Sequence, residues 1–238
     1  MNAEPNDPTR SGSPLPPDSA ARLSQSEIES LCLKAARGAG MSWGMAEEAS
    51  RAAASLAAWG IDGPDALLVR LQAKGALSSP DIRSLNEVRA WRAMDDGILC
   101  PIALGVTLCD FAALPRGAMA DAPLPVGPVA HALLLLPFLA DVAETLGGVV
   151  ALRWQAGEVA VASAGPPSGD VAALQRAAAI EAQLSLRPSG ARRDVSAPER
   201  LACTAGTLRG LNTLAMRTTV PSSETSRSGA GAMTSDND

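Results

Sequence analysis

The chain has no tyrosine, two phenylalanines and one histidine in 238 residues. A core so poor in rings must be filled by Ala, Leu and Val, with four Trp as its bulky members. The same scarcity removes the stacking platform on which single-stranded nucleic acid is held. Basic runs are missing too. The densest basic pair is Arg192-Arg193 and the net charge is −5, so no footprint for nucleic acid is visible. The four cysteines, at 32, 100, 109 and 203, form no Cys-x-x-Cys and suit neither a disulfide framework nor zinc. They are expected to be reduced, largely buried thiols of a cytoplasmic protein. No charged start followed by an apolar stretch opens the chain, so no signal peptide is expected. The most apolar window, 126–146, is interrupted by Pro128, His131, Pro137, Asp141 and Glu144, which argues against a membrane span.

What is present is helix-forming and apolar. Hydrophobic residues reach 47%, enough for a sizeable core, and the abundant Ala favours helix. Residues 1–22 are rich in Pro, Ser and Asp and are expected to be disordered, with order beginning at Ser24. Ser24-Gln-Ser-Glu27 is a capping box, and Ile28, Leu31, Cys32 and Ala35 follow at helical spacing up to Gly38 and Gly40. Ser42 can cap a second helix bearing Met45, Ala49, Ala53, Leu56 and Ala57, closed by Gly60. Asp62-Gly-Pro-Asp65 opens a third helix, running to Gly75. Ser79-Pro80-Asp81 opens a fourth, ending near Met94.

Asp95-Asp96-Gly97 reads as a turn. Ile98 to Phe111 reads as a strand or extended segment, 114–128 as a loop, and Pro128 to Leu146 as a helix kinked at Pro137. Val149 to Gln155 and Glu158 to Ala162 flank the hairpin signal Ala156-Gly157, with Val150, Leu152 and Trp154 on one face. Gly165 to Asp170 reads as a second loop. Ile180, Ala182, Leu184 and Leu186 alternate with polar residues, the pattern of a strand solvated on one face. Ser196-Ala-Pro-Glu199 would cap a last helix reaching Met216. No internal repeat is found. The expected architecture is one α+β domain over 23–238: a helical part at 23–94, a mixed part with an antiparallel sheet and a C-terminal helix at 95–218, and a polar tail at 219–238.

Several motifs resemble one family together. They are Lys34-Ala-Ala-Arg-Gly-Ala-Gly40, Ser42-Trp-Gly-Met-Ala-Glu-Glu-Ala49, Cys100-Pro101 with Asp110, the run Leu133 to Ala140, and Leu211 to Thr218 followed by the tail Val220 to Asp238. The family is domain of unknown function 3726, found mostly in proteobacteria. The resemblance runs over roughly 22–238 and implies a bacterial protein, but no activity. One departure is Thr219, near which the family often carries an aromatic. A fainter similarity, in shape only, links the first helices to the malate/L-lactate dehydrogenases that lack a Rossmann fold. Their His-Ser-His-Gly segment is absent here.

Chemistry-bearing patterns are sparse. No Walker A, Gly-x-Gly-x-x-Gly or Gly-x-Ser-x-Gly occurs. His131 is the only base a Ser-His-Asp triad could use, yet beside a Leu run it reads as a partly buried core histidine. No Asp/Glu cluster has a metal-ligand register. Cys100 would be a nucleophile only with a lowered pKa, and nothing near it in sequence lowers it. Arg227 is the best single candidate for binding, since a guanidinium among Ser, Thr and Gly can hold a carboxylate or phosphate. Glu224 is its alternative local partner. Gly229-Ala-Gly231 is either a small anion-binding nest or a flexible tail. A second patch combines Arg37 as anion clamp, Trp43 as apolar floor and Glu47 as base, against the plainer reading of a solvated helix face. Two functions stay open. One is a small-molecule-binding protein or catabolic enzyme with its site where the tail meets the N-terminal helices. The other is a non-catalytic accessory subunit or assembly partner of a metabolic enzyme. The residues name no cofactor, and Ala-rich helices are compatible with a homodimer.

Overall fold

The computed structural model describes residues 20–73, 79–80, 91–93, 97–112, 114, 119, 122–163, 165–188 and 201–218. Residues 21 and 22, expected to be disordered, belong instead to a strand: β1 (Ala21–Leu23) pairs antiparallel with β7 (Leu201–Cys203). The expected disorder of residues 1–19 lies outside the described residues.

The helical part starts as its caps dictate. Ahead of α1 (Gln25–Gly38), Ser24 Oγ accepts from the Glu27 amide, and Glu27 reaches back to the Ser24 amide at 2.7 Å. α2 (Trp43–Ala58) follows, although the Ser42 side chain makes no capping bond. Its inner face is almost all alanine, which lets α1 and α3 (Gly63–Gln72) approach closely. Asp62 caps α3 through the Asp65 amide at 3.1 Å, with Pro64 in the first turn.

The fourth helix expected over 79–94 is corrected at its ends. Pro80 bridges Ala93 and Trp91 bridges Val126, so these residues are extended. Residues 81–90 lie outside the described residues, as do Gly75, Asp95 and Asp96. The segment read as extended is α4 (Pro101–Ala112). The reason is burial: Ile102, Ala103, Leu104, Gly105 and Leu108 are all inside, and a helix apolar on most sides cannot be told from a buried strand by periodicity. Pro101 simply occupies the first turn.

The loop expected over 114–128 overlaps β2 (Leu124–Ala130) in its last five residues. Its prolines donate nothing, but their carbonyls are used: Pro125 O accepts from the Trp91 amide at 2.8 Å and Pro128 O from the Leu99 amide at 2.7 Å. The register shifts between Val126 and Val129, around a cis Gly127–Pro128 bond. The helix expected from Pro128 begins later. A 3-10 turn (Ala132–Leu135) leads into α5 (Leu136–Leu146), and Pro137 starts that helix instead of kinking it.

β3 (Gly148–Trp154) and β4 (Gly157–Ala162) form the expected hairpin. β5 (Ser168–Gly169) is a short strand inside the expected loop, followed by α6 (Val171–Arg176). β6 (Ala179–Pro188) lies between β2 and β3, giving a five-stranded sheet in the order β2-β6-β3-β4-β5. The last helix starts later than the Ser196 signal implied. α7 (Ala205–Ala215) is capped by Thr204, whose hydroxyl accepts from the Thr207 amide at 3.1 Å. Ser196 to Glu199 lie outside the described residues.

The fold is α+β, as expected. Val150, Leu152 and Trp154 share the buried face of the sheet with Val159, Val161, Ala182 and Leu184. α5 covers that face and meets α4 and α2 on its other sides, so α5 lies at the centre of the core. Phe138 on α5 is fully buried, and Arg51 of α2 stacks its guanidinium carbon 5.2 Å from the ring while pairing with Asp141 at 2.7 Å.

The opposite face of the sheet carries charge. Glu158 accepts from both terminal nitrogens of Arg187, at 2.6 and 2.8 Å, and from Arg153 Nε at 2.9 Å. The Arg187 and Arg153 hydrogen bonds hold its pKa down, from 4.5 to about 2. The lower folded value means that the unfolded chain binds more protons in acid. The network's stabilisation is therefore complete above pH 4.5 and fades as pH falls toward 2. Glu158→Gln is expected to flatten the acid side of the stability profile in that window, by a small amount because the groups are solvent-screened. Urea denaturation of both proteins at pH 7 and pH 3 checks it.

Candidate functional site around His131

His131 stands where the sheet hands over to the core helices. Its amide donates to the Ala178 carbonyl at 3.0 Å, continuing the β2–β6 ladder, and its carbonyl accepts from the Leu134 amide at 3.1 Å, opening the 3-10 turn. These two bonds hold the backbone at φ 46 and ψ 47. It is the only non-glycine residue with positive φ among those described. That conformation costs an L-residue roughly 1–2 kcal/mol, and such strain gathers at binding and catalytic sites. The imidazole is half-buried and has no hydrogen-bond partner among the described residues. Burial, and then the Arg70 guanidinium, push its pKa below the usual value. Both favour the neutral ring, in which one nitrogen can donate and the other accept.

A cleft of about 320 Å³ lies in front of this ring. One wall is α3, through Asp65, Ala66 and Val69; the other is α6, through Ala172, Leu174, Gln175 and Arg176, with Leu133 beside His131. Asp65 is held in place from behind: Thr207 Oγ1, itself 3% exposed, donates to Asp65 Oδ1 at 3.0 Å. Asp62, one turn earlier, has its pKa raised by burial. Val69 is 47% exposed, leaving an apolar lip on the α3 side.

Two other depressions are weaker candidates. One of about 340 Å³ lies against Arg92, Arg153, Trp154 and Glu181, but its charges are satisfied internally: Arg92 pairs with Glu181 at 3.4 Å and Arg153 with Glu158 at 2.8 Å. The other is an open groove of about 640 Å³ between α1 and α7, ending at Thr218.

The residues proposed from sequence fall out differently. Arg37 and Trp43 do come together, with the guanidinium carbon 4.7 Å from the indole centroid and an Arg37 hydrogen bond to the Met41 carbonyl. Trp43 is 63% exposed and lines none of the depressions described above, and the Glu47 side chain lies exposed on the same helix without a partner among the described residues. Glu224, Arg227, Gly229 and Gly231 lie outside the described residues. Cys100 is buried, as expected. Burial pushes the thiols of Cys32 and Cys109 up to about 12 and that of Cys203 to about 11. Such thiols are not nucleophiles at neutral pH. His131 was legible only as a core histidine, and Asp65 only as part of a helix start. The one available signal was a lone polar residue between the β-compatible Pro128-Val-Ala130 and the Ala132-to-Leu136 run.

Among the described residues no His, Cys, Asp and Glu side chains gather as a metal site, and no helix is long and apolar enough to cross a membrane. The helical part carries the family signal. Residues 23–94 match the family described as protein of unknown function (DUF3726). The DUF3726 segment spans α1 to α3, and so includes Arg37, Trp43 and the Asp65–Val69 wall of the cleft. His131 and the α6 wall, like the tail, lie beyond the matched residues. No curated protein and no solved structure matches the chain.

Proposed function

We propose that the protein binds a small molecule in the cleft between α3, His131 and α6. The observation that carries this reading is the imidazole: it is the chain's only one, favoured in its neutral form, without a partner among the described residues, and held at the cleft on a strained backbone. The N-terminal helices contribute one wall of the site through α3, in place of the Arg37–Trp43–Glu47 patch. The neutral ring also has a lone pair able to take a proton, which is what general-base chemistry on a bound ligand requires. Ala172 is an exposed residue of the cleft wall, so Ala172→Trp fills the cleft without entering the core. Thermal denaturation against a panel of small metabolites tests the reading. At least one compound is expected to raise Tm of the wild type by several degrees and to leave Ala172→Trp unmoved. Equal shifts in both proteins, or none in the wild type, would contradict it.

A second reading, an accessory protein that meets another chain, is favoured by the exposed Trp43 with Arg37 stacked upon it. Trp and Arg are enriched among the few residues that carry most of the energy of protein contacts. With a second copy of the chain as partner, sedimentation velocity should show a dimer that Trp43→Ala converts to monomer. A wild type that stays monomeric at all concentrations removes that form of the reading.

A further inference from the structure

We propose that the ligand of the His131 cleft is a small zwitterion of the α-amino-acid class, with its ammonium on Asp65, its carboxylate on Arg176 and its side chain on the apolar lining. The inference rests on the cleft being the ligand site. Asp65 lines the cleft from the first turn of α3, and Arg176 lines it from the last turn of α6. Opposite charges from distant parts of the chain thus face one opening. Neither forms an ion pair among the described residues, with the other or with any third group. Asp65 Oδ1 does accept from Thr207 Oγ1 at 3.0 Å, and Thr207 is fixed in turn by the Thr204 hydroxyl at 2.9 Å. A hydroxyl donor orients the carboxylate but leaves its negative charge to be met. Its other oxygen, Oδ2, has no partner among the described residues, so an ammonium can bond there without displacing Thr207. On the α6 wall, the exposed Arg176 guanidinium can hold a carboxylate through two parallel hydrogen bonds. Ala66, Val69, Leu133 and Leu174 supply apolar surface in the same lining. A ligand with one charge meets a like charge on the other wall, and a neutral one leaves both groups unanswered. A molecule bearing both signs satisfies both walls. The volume of about 320 Å³, at the small end of ligand sites, fits a single amino acid better than a peptide.

The single histidine makes the test direct, because any imidazole proton signal in the full chain belongs to His131, which lines the same cleft. Its Hε1 resonance would be followed by NMR at fixed pH and ionic strength during titration with L-alanine, L-leucine, isocaproate and isopentylamine. Isocaproate is leucine without the ammonium, and isopentylamine is leucine without the carboxylate. The expected result is a saturable shift with at least one amino acid, and binding of the singly charged compounds weaker by about tenfold or more. Asp65→Asn keeps an oxygen for Thr207 and removes the charge. It should weaken amino-acid binding about tenfold and leave isocaproate no weaker. Arg176→Gln, at an exposed position, should weaken amino-acid binding to a similar degree and leave isopentylamine no weaker. Circular dichroism checks that both variants keep the fold. Isocaproate or isopentylamine binding as tightly as the amino acids would overturn the zwitterion proposal while sparing the cleft as a site. Amino-acid affinity unchanged in Arg176→Gln would do the same, as would silence of all four compounds where the metabolite panel still raises Tm. No saturable shift with any of the four, together with no response of Tm to the panel, would sink the underlying reading.

Discussion

Phe138→Ala is expected to remove about 3–5 kcal/mol of stability, the usual cost of emptying a buried ring site. Few changes in this chain should cost as much. Phe138 is one of only two Phe in a chain without Tyr. Phe138 is fully buried on α5, packed against Gly105 of α4, and its ring also carries the Arg51 stack that ties α2 to α5. For a chain of this size the loss corresponds to a fall in Tm of roughly 6–20 °C. The packing across the ring allows a sharper test. A Cβ placed on Gly105 of α4 would stand 2.3 Å from Phe138 Cγ, so Gly105→Ala alone should destabilise the protein by about 1–3 kcal/mol. In the Phe138→Ala background the two ring contacts are gone and only the approach to the Cβ of residue 138, at 2.9 Å, remains, so the cost of the same methyl should fall. Denaturant unfolding of the four proteins gives the coupling. Additive effects would mean that α4 and α5 do not meet as described.

Gly38→Ala is the second large effect, at about 3 kcal/mol or more. A methyl there would lie 1.8 Å from the Leu214 carbonyl oxygen. That atom is backbone, so only a displacement of α7 from α1 could relieve the clash. Gly44 is the control, because a Cβ on it meets nothing within 4 Å. Gly44→Ala in α2 should stabilise by up to about 1 kcal/mol through helix propensity alone. One chemical change is thus expected to have opposite signs in two helices joined in sequence. Urea midpoints of both variants check it. Similar midpoints for the two would show that α1 and α7 are not in close contact.

Gly38 also illustrates what the sequence could and could not disclose. Its place after an amphipathic run marked the end of α1, and α1 does end there. Its tight approach to Leu214 depends on a helix far along the chain and left no local sign. The same division runs through the fold. The capping box at Ser24, the Asp62 start and the Ala156-Gly157 hairpin are local chemistry and were legible. α4 was not, because a helix enclosed by α5 and its neighbours is apolar on most sides, as a buried strand is. β2 was hidden by Pro125 and Pro128, which have no amide to donate but whose carbonyls accept from the Trp91 and Leu99 amides. The cleft was hidden for the same kind of reason. His131 is held in a left-handed backbone by Ala178, and Asp65 is braced by Thr207. Both are partners distant in sequence. The Arg37–Trp43 stack, six residues apart, was within local reach, and it did form.

The central claim is that ligand enters between α3 and α6, in front of His131. Backbone amide chemical-shift mapping of the full chain tests it most directly, using the compound that raises Tm most in the metabolite panel. The predicted result is a set of perturbed amides at 65–70, 131–133 and 172–176. Perturbation confined to Arg37 and Trp43, or to the cleft of Arg92 and Arg153, would contradict the account.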